Sequence, residues 1–380
     1  MLCIPGLLHR TTRASVKPLL AALLIATTAC PAFAGPRELD AYVRSLVLPS
    51  GALANSNASN AANSTPYMGA YAAIGLSMIG DAATALAFEK WYVANVNAPG
   101  VYGPGCTIYD FTFTRRPFRM TATGNADATD APAAVFLTAM YYLYQTGDRA
   151  ARRWIETQEK SGECIAEASV GLFQSAYNCT AALPGYNFCL AEDNFEVWRG
   201  LGAVAWLEAN VWGDATAASD YLSDRTTIAS GLAQFWNESN GNYNWARSTL
   251  TGQFTVSSWS QFYPGAVTQL WPEFTGYASP SDRRSLHLWR RFKSAWPNMP
   301  RRSPVVSPWP LTALTAAVMG DAAFLSEYTN GVDACYERQG YPYYWESADG
   351  GNMLAALSWS SLTLQHARFQ RRFARAALCG

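Results

Sequence analysis

Residues 133–148 read AAVFLTAMYYLYQTGD, an apolar run of helical length that ends in the pair Gly147-Asp148. Glycine commonly ends a helix in the left-handed conformation, and aspartate caps the next helix by accepting hydrogen bonds from its free amide groups. The same pair follows apolar runs at Gly80-Asp81, Gly213-Asp214 and Gly320-Asp321, and the first three pairs are almost equally spaced. Each pair therefore predicts the turn of a helical hairpin.

Each predicted hairpin combines an apolar helix with an amphipathic one. Residues 68–79, 133–143 and 197–207 are apolar on nearly all sides, as in buried helices, whereas 81–95 and 148–159 carry charges along one side. The apolar helices are expected to start at capping residues or prolines, namely Thr65-Pro66, Asp130, Asn194, Ser258, Ser307-Pro308 and Asp349; the first four starts are 64 residues apart, and the later steps are shorter. These starts predict six inner helices, and the last hairpin is expected to close on a first helix over residues 39–54.

The fold class that follows is all-α, an (α/α)6 toroid of six helical hairpins with an inner and an outer ring. An open α-solenoid would use the same hairpins, but it favours more uniform repeats with polar caps at both ends. Long segments lead from outer to inner helices at 98–128, 159–192, 237–257, 297–306 and 332–349. Because the inner helices of a toroid run parallel, these loops are expected on the face that carries the inner-helix N-termini. Long loops in a compact domain are usually functional, so this face is the predicted location of the site.

The first 34 residues are expected to be a cleavable signal peptide. Arg10, Arg13 and Lys17 precede the apolar run 19–26, and residues 32–34 supply the small residues of a cleavage site. Lipoprotein processing at Cys30 is the alternative, although residues 27–29 lack the aliphatic residue that such a site usually has. The mature chain, 35–380, is expected to be a single toroid domain, secreted or periplasmic, with apolar runs too short to span a membrane.

Cysteines and charges limit the remaining function classes. The mature chain keeps an even number of cysteines, which in an oxidising compartment predicts up to three disulfides, with Cys179–Cys189 and Cys335–Cys379 as plausible local pairs. No C-x-x-C pair is present and histidines are few, so no metal site is predicted. Nucleotide-binding motifs are absent, so no cofactor is expected. The 28 basic and 28 acidic side chains provide no basic surface for nucleic acid.

Aromatic residues are concentrated in and beside the long loops. Aromatic rings with polar edges bind sugars by stacking on their C–H faces, while neighbouring carboxylates bind the hydroxyls. We therefore predict substrate-binding roles for Tyr67, Tyr109, Trp198, Trp245, Trp259, Tyr343, Trp345 and Glu346. Arg115 stands before the first acidic helix start and is predicted to bind an acidic sugar. Other loop rings are expected only to cover the ends of the barrel.

Carboxylates cluster at the starts of two neighbouring inner helices. Asp127 and Asp130 stand at the first start, and Asp193 and Glu196 stand at the second. Hydrolysis of a glycosidic bond needs one carboxylic acid to protonate the leaving oxygen and one carboxylate to activate water or attack the sugar. The helix dipole favours ionised Asp127 or Asp130 as base or substrate anchor, and burial favours protonated Glu196 as acid. For Asp130, Asp193 and Asp349, ordinary N-capping is the alternative.

Residues 126–134, ADATDAPAA, followed by an apolar helix and Thr146-Gly147-Asp148, resemble the second hairpin of inverting endoglucanase-type members of the six-hairpin glycosidase superfamily. The acidic segment 192–214 is similar to the same superfamily of secreted (α/α)6 enzymes. The resemblance implies a cleft at the inner-helix starts and hydrolysis of polysaccharides. Those endoglucanases place a general-acid glutamate at the first inner helix, and residues 63–69, NSTPYMG, contain none. Another residue, such as Glu196, would have to supply the acid.

The sequence thus predicts a glycoside hydrolase that acts on a poly- or oligosaccharide by carboxylate acid/base catalysis. A polysaccharide lyase or uronate epimerase on a related toroid is the nearest alternative, with Tyr109 and Arg115 acting on an acidic sugar. A non-catalytic glycan-binding or envelope protein is the third. Serine-type catalysis is not predicted, because the chain has no G-x-S-x-G elbow.

Overall fold

The Gly-Asp pairs form the turns of the helical hairpins, as the sequence predicts. Their glycines all adopt the left-handed conformation, with φ of 89° at Gly80, 79° at Gly147, 87° at Gly213 and 71° at Gly320. Each following aspartate accepts a hydrogen bond from a backbone N–H in the first turn of the next helix; these residues are Asp81, Asp148, Asp214 and Asp321. The local chemistry of capping therefore defines the repeat.

The fold is known from a computed structural model that describes residues 36–58, 62–299, 308–337, 340–341 and 345–361. Five inner positions are single α-helices: Pro66–Ile79, Asp130–Gln145, Ala191–Leu207, Leu311–Val318 and Ser347–Ser361. The fourth inner position is irregular, with a π-helix at Phe262–Ala266, a 3-10 helix at Val267–Leu270 and an α-helix at Trp271–Phe274. The outer helices are Pro36–Ser45, Ala82–Ala94, Arg149–Ile155, Glu159–Val170, Ala215–Phe235, Arg283–Ala295 and Ala322–Cys335, and a π-turn at Glu208–Trp212 precedes the fifth of these.

Several predicted boundaries are wrong. The third inner helix begins at Ala191 rather than Asn194, because the Asn194 amide bonds to backbone groups of Thr180 and Leu190 instead of capping a helix. The predicted loop 159–192 contains the helix Glu159–Val170, so the second outer helix is split. The fourth inner segment starts at Phe262 and not at Ser258, and the first helix ends at Ser45, well before residue 54.

The loops on the inner-helix face carry short antiparallel strands, which the all-α prediction did not include. The largest hairpin pairs Phe111–Arg115 with Phe118–Ala122, and Asn63–Ser64 adds a third strand. A second three-stranded sheet joins Phe188–Leu190, Ala246–Ser248 and Phe254–Thr255. Two-stranded ribbons are formed by Phe173–Gln174 with Cys179–Thr180, and by Trp236–Asn237 with Asn242–Tyr243.

The inner helices form a closed ring, in which each packs on its neighbour along the chain and the last packs on the first. Glycine allows the closest approaches. A Cβ atom on Gly75 of the first inner helix would lie 2.2 Å from the carbonyl oxygen of Gly351 in the last one. A Cβ atom on Gly200 would lie 2.6 Å from the carbonyl oxygen of Ala134. The toroid prediction is therefore confirmed, and the open solenoid is not formed.

Two disulfides lie in the loops: Cys179–Cys189, which the sequence suggested as a local pair, and Cys106–Cys164. The pair suggested for Cys335 and Cys379 falls outside the residues whose side chains are described, as do the leader and Cys30. Among the described residues, none of the helices has the length and apolar character needed to cross a bilayer.

Candidate active site

The N-terminal ends of all six inner segments meet at one cavity of about 760 Å³. Its wall includes residues from the start of each: Tyr67, Met68 and Tyr71; Ala128 and Ala131; Leu190, Glu192 and Asp193; Tyr263 and Trp271; Trp309 and Leu311; Ala348, Asp349 and Asn352. Asp127, Ala182, Leu183, Tyr186 and Glu346 complete the lining from the loops. The face that was predicted to carry the site thus holds a cavity, and the volume of this cavity is in the range of small-molecule sites.

Glu196 lies beneath this cavity rather than on its wall. Its Oε1 accepts hydrogen bonds from the hydroxyl of Tyr67 at 2.9 Å, from the indole N–H of Trp271 at 2.9 Å and from the hydroxyl of Tyr71. Burial raises the pKa of Glu196 to about 7, although the three donors act in the opposite direction. The side chains that bond Glu196 face the cavity, so this glutamate joins the first, third and fourth inner segments at the floor.

Asp193 and Glu192 are in the first turn of the third inner helix, on the cavity wall. Asp193 is 9% exposed, and its Oδ2 has no hydrogen-bond partner among the described residues. Burial, followed by the charges of Asp130 and Glu196, raises the pKa of Asp193 well above its ordinary value. Glu192 is held by the Thr268 hydroxyl at 2.6 Å, and burial raises the pKa of Glu192 to about 8. Both acids are therefore favoured in the protonated form near neutral pH.

A second acidic cluster consists of Glu346 and Asp349, at the start of the last inner helix, and Asp127, in the loop before the second inner helix. Burial and the charge of Asp127 raise the pKa of Glu346, and burial raises the pKa of Asp127. Asp349 accepts a hydrogen bond from the Glu346 N–H at 2.9 Å, and its own pKa is raised well above the ordinary value by burial. In a ring of six, the third and sixth positions are opposite, so Asp193 and Glu346 belong to facing walls.

Asp130 is not part of the cavity lining. It is 1% exposed, and its carboxylate accepts hydrogen bonds from the Thr180 hydroxyl at 2.7 Å and the Ala131 N–H at 2.8 Å. Burial raises the pKa of Asp130 to about 6, while these two bonds lower it. Thr129 precedes the helix as N-cap, so Asp130 is the first helical residue. Its bonds attach the loop containing Thr180 to the second inner helix.

Six predicted substrate-binding residues lie outside the cavity lining, and the side chains of five of them pack against other protein groups. The ring of Trp198 packs against the Arg225 guanidinium, Trp259 packs against Arg291, and Tyr109 packs against Tyr102. Trp345 is fully buried beside Tyr336 and Tyr341. Exposed Arg115 extends over Phe113, and the backbone of Trp245 forms hydrogen bonds with Ala191 and Thr255. Tyr343 is outside the described residues. Of the predicted set, Tyr67 and Glu346 line the cavity, together with Asp127 and Asp193.

Four aromatic lining residues were not singled out from the sequence: Tyr71, Tyr263, Trp271 and Trp309. Tyr186 was among the aromatic loop residues but was not assigned to the substrate-binding set. Tyr71 lies one turn after Tyr67 on the same helix, so helical spacing would have found it. Trp271 had no such signal, because the fourth inner segment is irregular and its register could not be read from a helical period.

The ionisable Asp, Glu, Lys, Arg and His side chains described in the cavity lining are all acidic. Five carboxyl side chains line the cavity, from Asp127, Glu192, Asp193, Glu346 and Asp349, and no Lys, Arg or His does so among the residues the structure describes. Despite this acidity, the described residues contain no group of three or more metal-binding side chains arranged to hold a metal ion. The five carboxyl groups can transfer protons and can bind sugar hydroxyls.

No family model and no curated protein sequence matches this chain. Solved structures do. One described as a wild-type glycosidase has a TM-score of 0.60 and 13% sequence identity, with 86% of this chain and 96% of that chain covered. An uncharacterized conserved protein from Thermus thermophilus has a TM-score of 0.62 and 13% identity, covering 86% and 100%. The GH63 mannosylglycerate hydrolase from Thermus thermophilus in complex with glucose has a TM-score of 0.57 and 13% identity, covering 85% and 99%. The similarity is one of architecture, and the chain has the six-hairpin toroid fold of these glycosidase structures.

Proposed function

We propose that this protein is a glycoside hydrolase in which Asp193 is the general acid. The observation that carries the proposal is the place of Asp193 on the wall of the shared cavity, together with its Oδ2, a buried oxygen that has no hydrogen-bond partner among the described residues. A general acid must hold a proton until the leaving oxygen arrives, which a raised pKa and a vacant hydrogen-bonding position both favour. Glu196 also has a raised pKa and one oxygen without a partner among those residues, but it lies beneath the cavity and not on its wall, so it is less suited to meet the leaving oxygen.

Glu346 is proposed as the carboxylate that activates water. It precedes the sixth inner helix, across the ring from Asp193, and it is half-buried and lines the cavity. In this reaction Asp193 gives its proton to the leaving oxygen as the glycosidic C–O bond breaks, while Glu346 takes a proton from the attacking water. Asp127, whose charge acts on both acids, is the alternative base.

The acidic lining favours hydrolysis over the lyase or epimerase alternative. A uronate carboxylate would meet five acidic side chains, with no described cationic side chain in the lining to neutralise it. Arg115, the residue predicted for that role, is exposed and lies over Phe113. Neutral sugars would instead donate hydroxyl hydrogen bonds to these carboxyl groups.

The test is a screen of α- and β-glycosides, beginning with D-glucosides and D-mannosides because the similar glycosidases include a glucose complex and a mannosylglycerate hydrolase. We expect Asp193→Asn and Glu346→Gln each to lower kcat by about 10²–10⁴-fold on any glycoside that the wild type cleaves. Asp214→Asn is the matched control, since asparagine also caps helices well and Asp214 caps an outer helix.

A wild-type protein that cleaves nothing in the screen, while still binding glycans, would instead support the non-catalytic alternative. For an active enzyme, proton NMR of the first product identifies the mechanism. An inverted anomer supports Glu346 as base, and a retained anomer would show that a carboxylate attacks the sugar directly.

Export through a signal peptide over residues 1–34 is also part of the proposal. The two disulfides are compatible with an oxidising compartment. N-terminal sequencing of the protein recovered from the periplasm or medium tests it, with a start near Gly35 expected. Lipid attached to Cys30 would favour the lipoprotein alternative.

A further inference from the structure

Tyr186 and Tyr263 are the large aromatic rings most exposed among the described residues, and both line the cavity. Tyr186 is 40% exposed and Tyr263 is 51% exposed. A third exposed ring, Phe173 at 37%, lies outside the cavity lining. Exposed aromatic surface that is gathered at one opening indicates a binding surface rather than incomplete burial.

Tyr263 belongs to the same cavity as the acids. It lines this cavity together with Glu192 and Asp193, and the charge of Glu192, then burial and the charge of Asp193, raise the pKa of Tyr263 well above its ordinary value. Half of the side chain nevertheless remains exposed. A sugar chain bound at Asp193 would therefore share the cavity with an exposed face of the Tyr263 ring.

The Tyr263 ring packs against Trp309, which also lines the cavity. The two rings are tilted by 31° with centroids 5.3 Å apart, and Trp309 in turn packs edge-on against Phe262 at 5.8 Å. Trp309 has a φ of 53°, in the left-handed region that non-glycine residues seldom adopt. Such backbone strain persists only where the surroundings fix it, and it is concentrated at ligand sites.

Tyr186 is fixed by a short loop whose base is tightly held. Cys179 and Cys189 close the loop with a disulfide. The Ala182 carbonyl accepts from the Thr129 N–H at 2.7 Å, and the Thr180 N–H donates to the Asn194 side chain at 2.8 Å. An exposed tyrosine on an anchored loop offers a stacking surface with little loss of conformational freedom on binding.

We infer that Tyr186 and Tyr263 form a stacking platform for a second sugar ring, the leaving-group side of a glycan of two or more units. The inference rests on the proposed function, because it takes Asp193 as the point where the glycosidic oxygen is protonated. A sugar ring has the shape and C–H faces to lie on these tyrosines, whereas a small polyol leaving group lacks a ring to stack. The substrate class is therefore an oligosaccharide.

The test measures binding without turnover. Asp193→Asn protein is applied to an array that presents the common pyranoses as mono-, di- and trisaccharides, in three further forms that add Tyr186→Ala, Tyr263→Ala or Phe173→Ala. We expect a disaccharide to bind about tenfold more tightly than its terminal monosaccharide, from stacking on the platform. The Tyr186→Ala and Tyr263→Ala forms should lose this gain, and the Phe173→Ala control should keep it.

Equal affinity for mono- and disaccharides, or a gain that survives both tyrosine substitutions, overturns the inference. If either of these results is found but the wild type hydrolyses glycosides, the proposed function stands and only the stacking platform is refuted. If no glycan is bound and none is cleaved, the inference and the proposed function fail together. Thermal unfolding of each form checks that a loss of disaccharide affinity is not caused by unfolding of the variant.

Discussion

Replacing Glu196 tests whether this residue is only a structural part of the cavity floor or is the general acid. Glutamine keeps an oxygen that can accept from Tyr67, Tyr71 and Trp271, as Glu196 Oε1 does now. The other oxygen, Oε2, is buried without a partner among the described residues, and the glutamine amide would occupy its position. Alanine removes the acceptor altogether and leaves two hydroxyls and one indole N–H without it.

The expected magnitudes follow from these bonds. A buried donor left without a partner destabilises by about 1–3 kcal/mol, so three such donors give about 3–9 kcal/mol for Glu196→Ala. That range covers most of the stability of an ordinary domain, about 5–15 kcal/mol. For Glu196→Gln the three bonds remain, and the change in unfolding free energy should stay below about 3 kcal/mol.

Activity gives the second readout. If Glu196 only positions Tyr67 and Trp271, Glu196→Gln should keep kcat within about tenfold of wild type, whereas loss of a general acid costs about 10²–10⁴-fold. Urea denaturation and steady-state kinetics on the glycoside found by the screen measure both quantities. A stable Glu196→Gln protein that is inactive, beside an active Asp193→Asn protein, would refute the assignment and restore Glu196 as the acid.

Three further predictions address stability. Gly75→Ala should lower the unfolding free energy by about 1–3 kcal/mol, as overpacking does, because its Cβ would lie 2.2 Å from the Gly351 carbonyl oxygen; a neutral effect in urea denaturation would contradict the close packing. Burial raises the pKa of Glu273 from 4.5 to about 8, so the folded state binds the extra proton and stability falls as pH rises between these values; Glu273→Gln should flatten the dependence of Tm on pH, and an unchanged slope would exclude Glu273 as its source. Replacing Cys179 and Cys189 together by serine should lower the unfolding free energy by about 2–3 kcal/mol in urea, and equal stability would show that the loop is held by its hydrogen bonds alone.

The fold could be predicted because each turn of the hairpin repeat depends on residues that are adjacent in the sequence. A glycine with positive φ followed by an aspartate cap is legible from two adjacent residues, and all four pairs act as predicted. The sequence also predicted that the N-termini of the inner helices lie on one face, because this depends only on the parallel direction of the inner helices. Asp127 and Asp193 reach the cavity for this reason.

The role of Glu196 could not be read in the same way. Its environment is set by Tyr71 and Trp271, which are distant in sequence and lie on other inner segments. Trp345 illustrates the opposite error, because an aromatic in a loop beside acids is fully buried and bonds through its carbonyl to the Tyr42 hydroxyl at 2.6 Å. Only the packing distinguishes a ring that covers the barrel from one that faces the cavity.

The contact between the first and last inner helices has a consequence for how the protein reaches its active form. Ser347–Ser361 supplies Ala348, Asp349 and Asn352 to the cavity and packs against Pro66–Ile79. A chain emerging from the ribosome can build hairpins one after another, but the cavity stays open on one side until this late segment is made. Loop closure over so long a stretch slows the final step of folding. Catalytic competence would therefore be acquired last, after most secondary structure has already formed.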